Sequence, residues 1–167
     1  SSLETVKRAI ESVKDHVRNI YAIDVKFEFY ESSDLLSTPD VRNYLRSIDN
    51  VVLVDVPNRK ENEKRQTYLD YCEKNLADWL LILDADEYIT DETNWDSVYA
   101  DLLKNTTEAK SPAIFGVTIK PYGDSKKEFG YPRLWRAPYL IRYLKTHNFW
   151  EFKTTGKIYR SSITWPA

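Results

Sequence analysis

The chain has 167 residues, enough for one domain with a sizeable buried core, and carries 24 Lys plus Arg against 26 Asp plus Glu, a net charge of −2. That balance gives no general reason to expect nucleic acid or a strongly anionic surface as a partner. No apolar stretch reaches the ~18 residues of a membrane span, no signal peptide is visible, and the single cysteine, Cys72, excludes an internal disulfide and a Cys-based zinc site, so a cytoplasmic, reducing setting is expected.

There is no methionine, not even at the start, so a longer parent sequence trimmed at its ends is expected. The 12 Tyr, 5 Trp and 6 Phe suit sugar stacking and a core equally well.

Leu3, Val6, Ile10, Val13 and Val17 recur at three- and four-residue intervals, which predicts an amphipathic helix over 3–19 with Ser2 as N-cap. His16 reads as a solvated helix residue. Ile20-Tyr21-Ala22-Ile23-Asp24 follows as a short strand finishing in a carboxylate. Residues 25–40 are polar and irregular, and Pro39 suits the first turn of a helix through Val41, Tyr44, Leu45 and Ile48. Asn50 to Val56, rich in β-branched residues, predicts the next strand, with Asp55 as a polar break. Residues 58–75 predict a helix carrying Tyr68, Leu69 and Cys72 on one side and Lys64-Arg65-Gln66 near its start, with Cys72 as core filler.

Residues 76–90 are the most informative stretch. Five consecutive apolar residues, Trp79 to Leu83, show no polar alternation, which predicts a central strand covered on both faces. The strand then runs into Asp84, Asp86 and Glu87. Three carboxylates within four residues repel one another unless a cation or bulk water neutralises them, and hard oxygen ligands favour Mg²⁺ or Mn²⁺. On an extended chain Asp84 and Asp86 share a side and Glu87 points away.

Asp91 or Thr93 is the expected cap of a helix with Trp95, Val98, Leu102 and Leu103, and Pro112 to Ile119 predicts a further strand. Tyr122 to Gly130 reads as a loop. Tyr131 to Arg136 and Ile141 to Asn148 read as two short strands around an Ala137-Pro138 turn. The order α-β-α-β-α-β argues for right-handed crossovers, a mostly parallel sheet, and a ligand crevice at the carboxyl ends of the strands.

Trp79-Leu80-Leu81-Ile82-Leu83-Asp84-Ala85-Asp86-Glu87-Tyr88-Ile89 resembles the metal-binding Asp-x-Asp strand of the family 2 glycosyltransferases, which have the GT-A fold. The resemblance extends over roughly residues 3–150, with the Asp84 strand its one highly specific part. It implies an α/β, Rossmann-like, three-layer fold with a mostly parallel central sheet, occupying 1–167 as a single catalytic domain. It further implies inverting transfer of a hexose or deoxyhexose from a UDP-, GDP- or TDP-sugar to a glycan or other hydroxyl acceptor. Asp84 and Asp86 would hold Mn²⁺ or Mg²⁺, and His147, after a Pro-Arg-Leu-aromatic-Arg segment at 132–136, would add an imidazole. Asp24 would recognise the nucleotide and Arg65 the diphosphate. The catalytic base stays open among Glu128, Asp124 and Glu151. The family's first strand, with its Pro-x-Tyr-Asn-like turn, has no counterpart before residue 3, so a late start is expected.

Two other readings compete. A haloacid-dehalogenase-like phosphatase also places Asp-x-Asp after an apolar strand, but that class favours Thr or Val where this chain has Tyr88. A non-catalytic carbohydrate- or nucleotide-binding module is the other.

Overall fold

A computed structural model describes residues 2–27, 37–59, 61–108, 112–119, 129–145, 149–152 and 164–165. The apolar periodicity at the start produces helix α1 (Leu3–Glu11), with the Ser2 hydroxyl accepting from Thr5 N at 3.2 Å as the expected cap. The helix stops well short of residue 19. Ser12 turns its hydroxyl back onto Ala9 O at 2.7 Å, and Val13 N and Lys14 N both crowd onto Ile10 O, so the chain leaves in tight turns.

Strand β1 (Ile20–Phe27), helix α2 (Pro39–Arg46), strand β2 (Val51–Arg59) and helix α3 (Glu61–Lys74) follow in the expected alternation. β1 and β2 pair in parallel, with Ile20 opposite Val51 and Asp24 opposite Asp55. α1 and α2 cover this pair. Val6, Ile10, Val41 and Leu45 are buried together, with Ile20, Ala22, Val51 and Leu53 packed against them. Burying four such side chains supplies on the order of 1.5–3 kcal/mol each, which is what holds these short elements down. Tyr44 fixes the two helices to each other by donating to Glu11 Oε1 at 2.8 Å; burial, aided by that carboxylate, pushes the phenol up to about 12.

α3 ends in a paired cap. Ala77 N donates to Cys72 O at 3.0 Å and Leu76 N to Glu73 O at 3.2 Å, with Leu76 in the left-handed region at φ 50. The chain then enters strand β3 (Trp79–Leu81), followed by helix α4 (Trp95–Glu108), strands β4 (Ala113–Ile119) and β5 (Phe129–Arg136), a 3-10 turn at Pro138–Leu140, and strands β6 (Ile141–Lys145), β7 (Phe149–Phe152) and β8 (Thr164–Trp165). The α4 cap is Asn94, whose Oδ1 accepts from Ser97 N at 3.1 Å, rather than Asp91 or Thr93. The helix starts at Trp95, and the residue just before it is the one whose side chain reaches the third helical N–H.

The chain is a mixed helix-and-strand protein with a small parallel sheet of two strands. Among the described residues the strands form three ladders: β1-β2, β3-β5-β4-β8 and β6-β7. β3 and β4 both run antiparallel to β5, and β4 runs parallel to β8. The sequence expectation of one mostly parallel sheet therefore meets a more mixed pattern. The run after residue 78 also forms a shorter ladder than expected: β3 has three half-buried residues, and only Ile82 of the apolar run is buried. Its described ladder lies on one side, toward β5, so the strand is covered less than a continuous apolar run implies.

Behind this strand lies a second core. Leu69, Ile82, Trp135 and Ile141 are buried against one another, with Tyr68 and Leu80 alongside, and Cys72 is buried as expected. α3 touches β1, β2 and β6 and the 3-10 turn, so one helix backs both the parallel pair and the second core. α4 is tied to the β3 ladder by Trp79 Nε1 donating to Thr106 Oγ1 at 2.6 Å and by Arg136 Nη1 donating to Asn105 O at 3.0 Å. No helix among the described residues is long and apolar enough to cross a membrane.

Candidate functional site

The apolar run ends in a turn that closes on itself. Glu87 N donates to Asp84 O at 2.9 Å, and Asp84 N donates to Glu87 Oε2 at 2.9 Å. The reciprocal pair fixes the backbone at the point where the acidic residues begin. Glu87 is thereby folded back onto Asp84 rather than pointing away from it, because the chain turns at 85–86 instead of staying extended. Asp84 and Asp86 are both exposed.

Arg133 reaches this turn from the neighbouring strand. Its Nη2 lies 2.6 Å from Asp84 Oδ2 and 2.6 Å from Glu87 Oε1. The approach follows from a break in register. On the β4 side, Phe115 faces Leu134 and Gly116 faces Pro132, so Arg133 is the extra residue of a bulge, while on the β3 side its carbonyl accepts from Ile82 N at 2.8 Å. Pro132 has no N–H to continue the ladder, which makes this a natural place for the pairing to slip. A bulge re-aims the side chain it contains. The Arg133 side chain is 12% exposed against 48% for Asp84 and 17% for Glu87. Burial works against the charged guanidinium, but the two carboxylates outweigh it and raise its pKa.

The loop beyond the turn is docked on α1. Ile89 N donates to the Ser12 hydroxyl at 3.1 Å, and the Arg8 guanidinium lies 3.8 Å from the centre of the Tyr88 ring. His16, expected to be solvated, stacks on Trp95 at 4.4 Å with the rings 11° from parallel. The early end of α1 thus leaves Ser12 and His16 to hold the segment that carries the carboxylates.

Asp24, the expected nucleotide contact, has a different setting from the one read in the sequence. The strand runs on to Phe27, and Asp24 is a buried residue within it. It accepts from Ser37 N at 3.1 Å to each oxygen, from the Ser37 hydroxyl at 3.0 Å and from Arg42 Nη1 at 2.7 Å. Arg42 also grips Asp55 through both terminal nitrogens, at 2.8 and 2.9 Å. Two aspartates opposite each other on parallel strands would repel, and one guanidinium between them bridges both and offsets that repulsion. Asp55 is therefore more than a polar break in β2. Its hydrogen bond to Arg42 lowers the Asp55 carboxyl below its usual range, and the same bond, with that to Asp24, raises Arg42.

Arg65 lies half-buried on α3 and already has an interaction of its own. Asp124, Glu128 and His147 fall outside the described residues, and Glu151 is described only as part of the β7 backbone. Of the sequence-derived site residues, the structure brings Asp84 and Asp86 onto one exposed turn. Arg133 is the residue at this turn that sequence reasoning passed over; the Pro132-Arg133 step marks a break in the ladder but not where the side chain is aimed.

Among the described residues no group of three or more His, Cys, Asp and Glu side chains is gathered as a metal cluster. Two exposed carboxylates remain. Their hard oxygens suit Mg²⁺ or Mn²⁺ held by two protein ligands, with waters or phosphate oxygens completing the shell. Of the two, Asp84 is already held by Arg133 at 2.6 Å, so an ion there would compete with the guanidinium for that carboxylate. No family model matches the chain, and no curated protein matches it.

Proposed function

We propose that the protein is a metal-dependent glycosyltransferase that moves a sugar from a UDP-, GDP- or TDP-sugar to a hydroxyl acceptor. The observation that carries this reading is the self-closed turn at Asp84–Glu87, which holds two exposed carboxylates at the end of an apolar segment. The alternation of α1-β1-α2-β2-α3-β3, with α3 lying against the β1-β2 pair and β6, supports a GT-A-like, three-layer arrangement.

In this reading Asp84 and Asp86 hold Mn²⁺ or Mg²⁺, with His147 as a further ligand. When bound, the ion supplies a Lewis acid that draws charge from the departing diphosphate. Glu87 keeps the turn closed, and Arg133 offsets part of the carboxylate charge. Arg65 contacts the diphosphate. The acceptor hydroxyl attacks the anomeric carbon as the carbon–oxygen bond to the diphosphate breaks, and its proton passes to a carboxylate supplied by Glu128, Asp124 or Glu151. Asp24 contacts the nucleotide only if Ser37 or Arg42 gives up a bond, because the four contacts already made saturate its oxygens.

A second reading is favoured by one observation. Arg133 already satisfies Asp84 without any ion, which suits a non-catalytic module that binds a nucleotide or carbohydrate. Hydrolysis of UDP-, GDP- and TDP-sugars with and without Mn²⁺ separates the two. Mn²⁺-dependent release of a nucleoside diphosphate supports the enzyme; nucleotide binding with no turnover of any donor supports the module. Asp86→Ala should abolish metal-dependent donor binding and leave the fold intact, and full transfer activity in that variant would refute the assigned role.

A further inference from the structure

The segment 88–94, between the carboxylate turn and α4, forms no helix or strand and is fixed at both ends. At one end Glu87 folds back onto Asp84 and is gripped by Arg133; at the other Asn94 caps α4 through Ser97 N at 3.1 Å. Between those points it leans on α1 and the turn that follows it. The exposed Arg8 guanidinium sits 3.8 Å from the Tyr88 ring, and Ile89 N donates to the Ser12 hydroxyl at 3.1 Å. Just past the segment, Trp95 stacks on His16 at 4.4 Å.

These contacts are modest ones. A cation over a ring is worth least where water reaches it, as at Arg8. The Ile89 bond replaces one that the open chain makes to water, so its net return is small. Against them stand Thr90 and Thr93. Thr93 N donates to Thr90 O at 3.0 Å, but both side-chain hydroxyls are closed off from solvent with no hydrogen-bond partner among the described residues. A hydroxyl shut away from water without a bond costs more than a typical hydrogen bond returns. We propose that residues 88–94 are a strap poised to open, swinging off α1 about the Glu87 turn and the Asn94 cap as a local event that leaves both cores intact and hands the two hydroxyls to water. Opening uncovers the Ser12 side of the α1 exit beside the exposed Asp86. The motion belongs to the fold and does not depend on what the turn binds.

The test is native-state hydrogen exchange of the full chain, read at two amides. Ile89 N reports the strap; Ile82 N, bonded to Arg133 O at 2.8 Å on a residue 7% exposed, reports the core. In wild type Ile89 should be protected at least about 100-fold less than Ile82. Ser12→Ala should lower Ile89 protection about fivefold and Arg8→Ala about twofold. Thr90→Val and Thr93→Val, which remove a buried hydroxyl at nearly constant shape, should raise it by about fivefold or more. Ile82 should keep its wild-type protection in all four variants. The two valine variants test the same point independently, so one that fails to fold leaves the other to decide. Ile89 protected as strongly as Ile82 overturns the proposal, because the strap then opens only with the core. Unchanged or lower Ile89 protection in the valine variants overturns it too, because the hydroxyls then hold the strap down, through a bond or a buried water, instead of favouring its release.

Discussion

Arg42 and Asp24 meet at 2.7 Å between α2 and β1, and the same guanidinium holds Asp55 on the neighbouring strand. Asp24 is 8% exposed, so Arg42 is what allows a carboxylate to sit inside the β1–β2 pair. Arg42→Ala leaves that carboxylate with Ser37 alone and should cost roughly 2–4 kcal/mol in urea unfolding. Arg42→Lys, which cannot bridge both aspartates in the same way, should fall between. A loss below about 0.5 kcal/mol for the Ala variant, the range of an ordinary surface change, would show that the cluster does not hold the strands together.

Acid should weaken this same cluster. Arg42 holds the Asp55 carboxyl below its usual range, so the folded chain binds that proton only at a pH lower than the unfolded chain does. The contribution is fully present above the ordinary aspartate value of ~3.9 and is lost as pH falls through the lowered folded value. Asp55 is 49% exposed, so the effect should stay within about 1 kcal/mol. Asp55→Asn should flatten the acid limb of stability against pH. An unchanged limb in that variant would assign the acid sensitivity elsewhere.

Leu76 carries a cost that a simple substitution removes. It stands at φ 50 just beyond α3, with its side chain 75% exposed, so a Cβ is forced into the left-handed region with little burial in return. Leu76→Gly should raise stability by about 0.5–1 kcal/mol while keeping both cap hydrogen bonds. A loss of stability by thermal or urea unfolding would indicate that the leucine side chain makes contacts worth more than the strain.

Cys72 should be inert in the folded protein. It is 2% exposed, and burial pushes its thiol up to about 11, so thiolate is scarce at neutral pH. A thiol reagent at pH 8 should react only as fast as the chain opens, with the rate rising sharply in denaturant. Prompt stoichiometric labelling without denaturant would place the thiol at the surface.

The alternation of elements was readable because apolar spacing is local: Leu3, Val6 and Ile10 mark α1, Pro39 marks the start of α2, and the β-branched run marks β2. The boundaries depended on distant partners. Ser12 ends α1 while receiving a hydrogen bond from Ile89, 77 residues away. β1 continues past Asp24 because Arg42, from a later helix, neutralises it. The Asp84–Asp86 turn was visible as three carboxylates after a greasy run. Arg133 was not visible as its counter-charge, since nothing local states that a bulge 49 residues downstream will aim it there.

The most direct test of the account is calorimetric titration of UDP, GDP and TDP into the wild-type protein and Asp86→Ala, each with and without Mn²⁺. The account predicts that at least one nucleotide binds wild type only when Mn²⁺ is present, and that Asp86→Ala, still folded, binds none. Absence of binding by all three with Mn²⁺ present, or equal binding without the ion or in the variant, would contradict it.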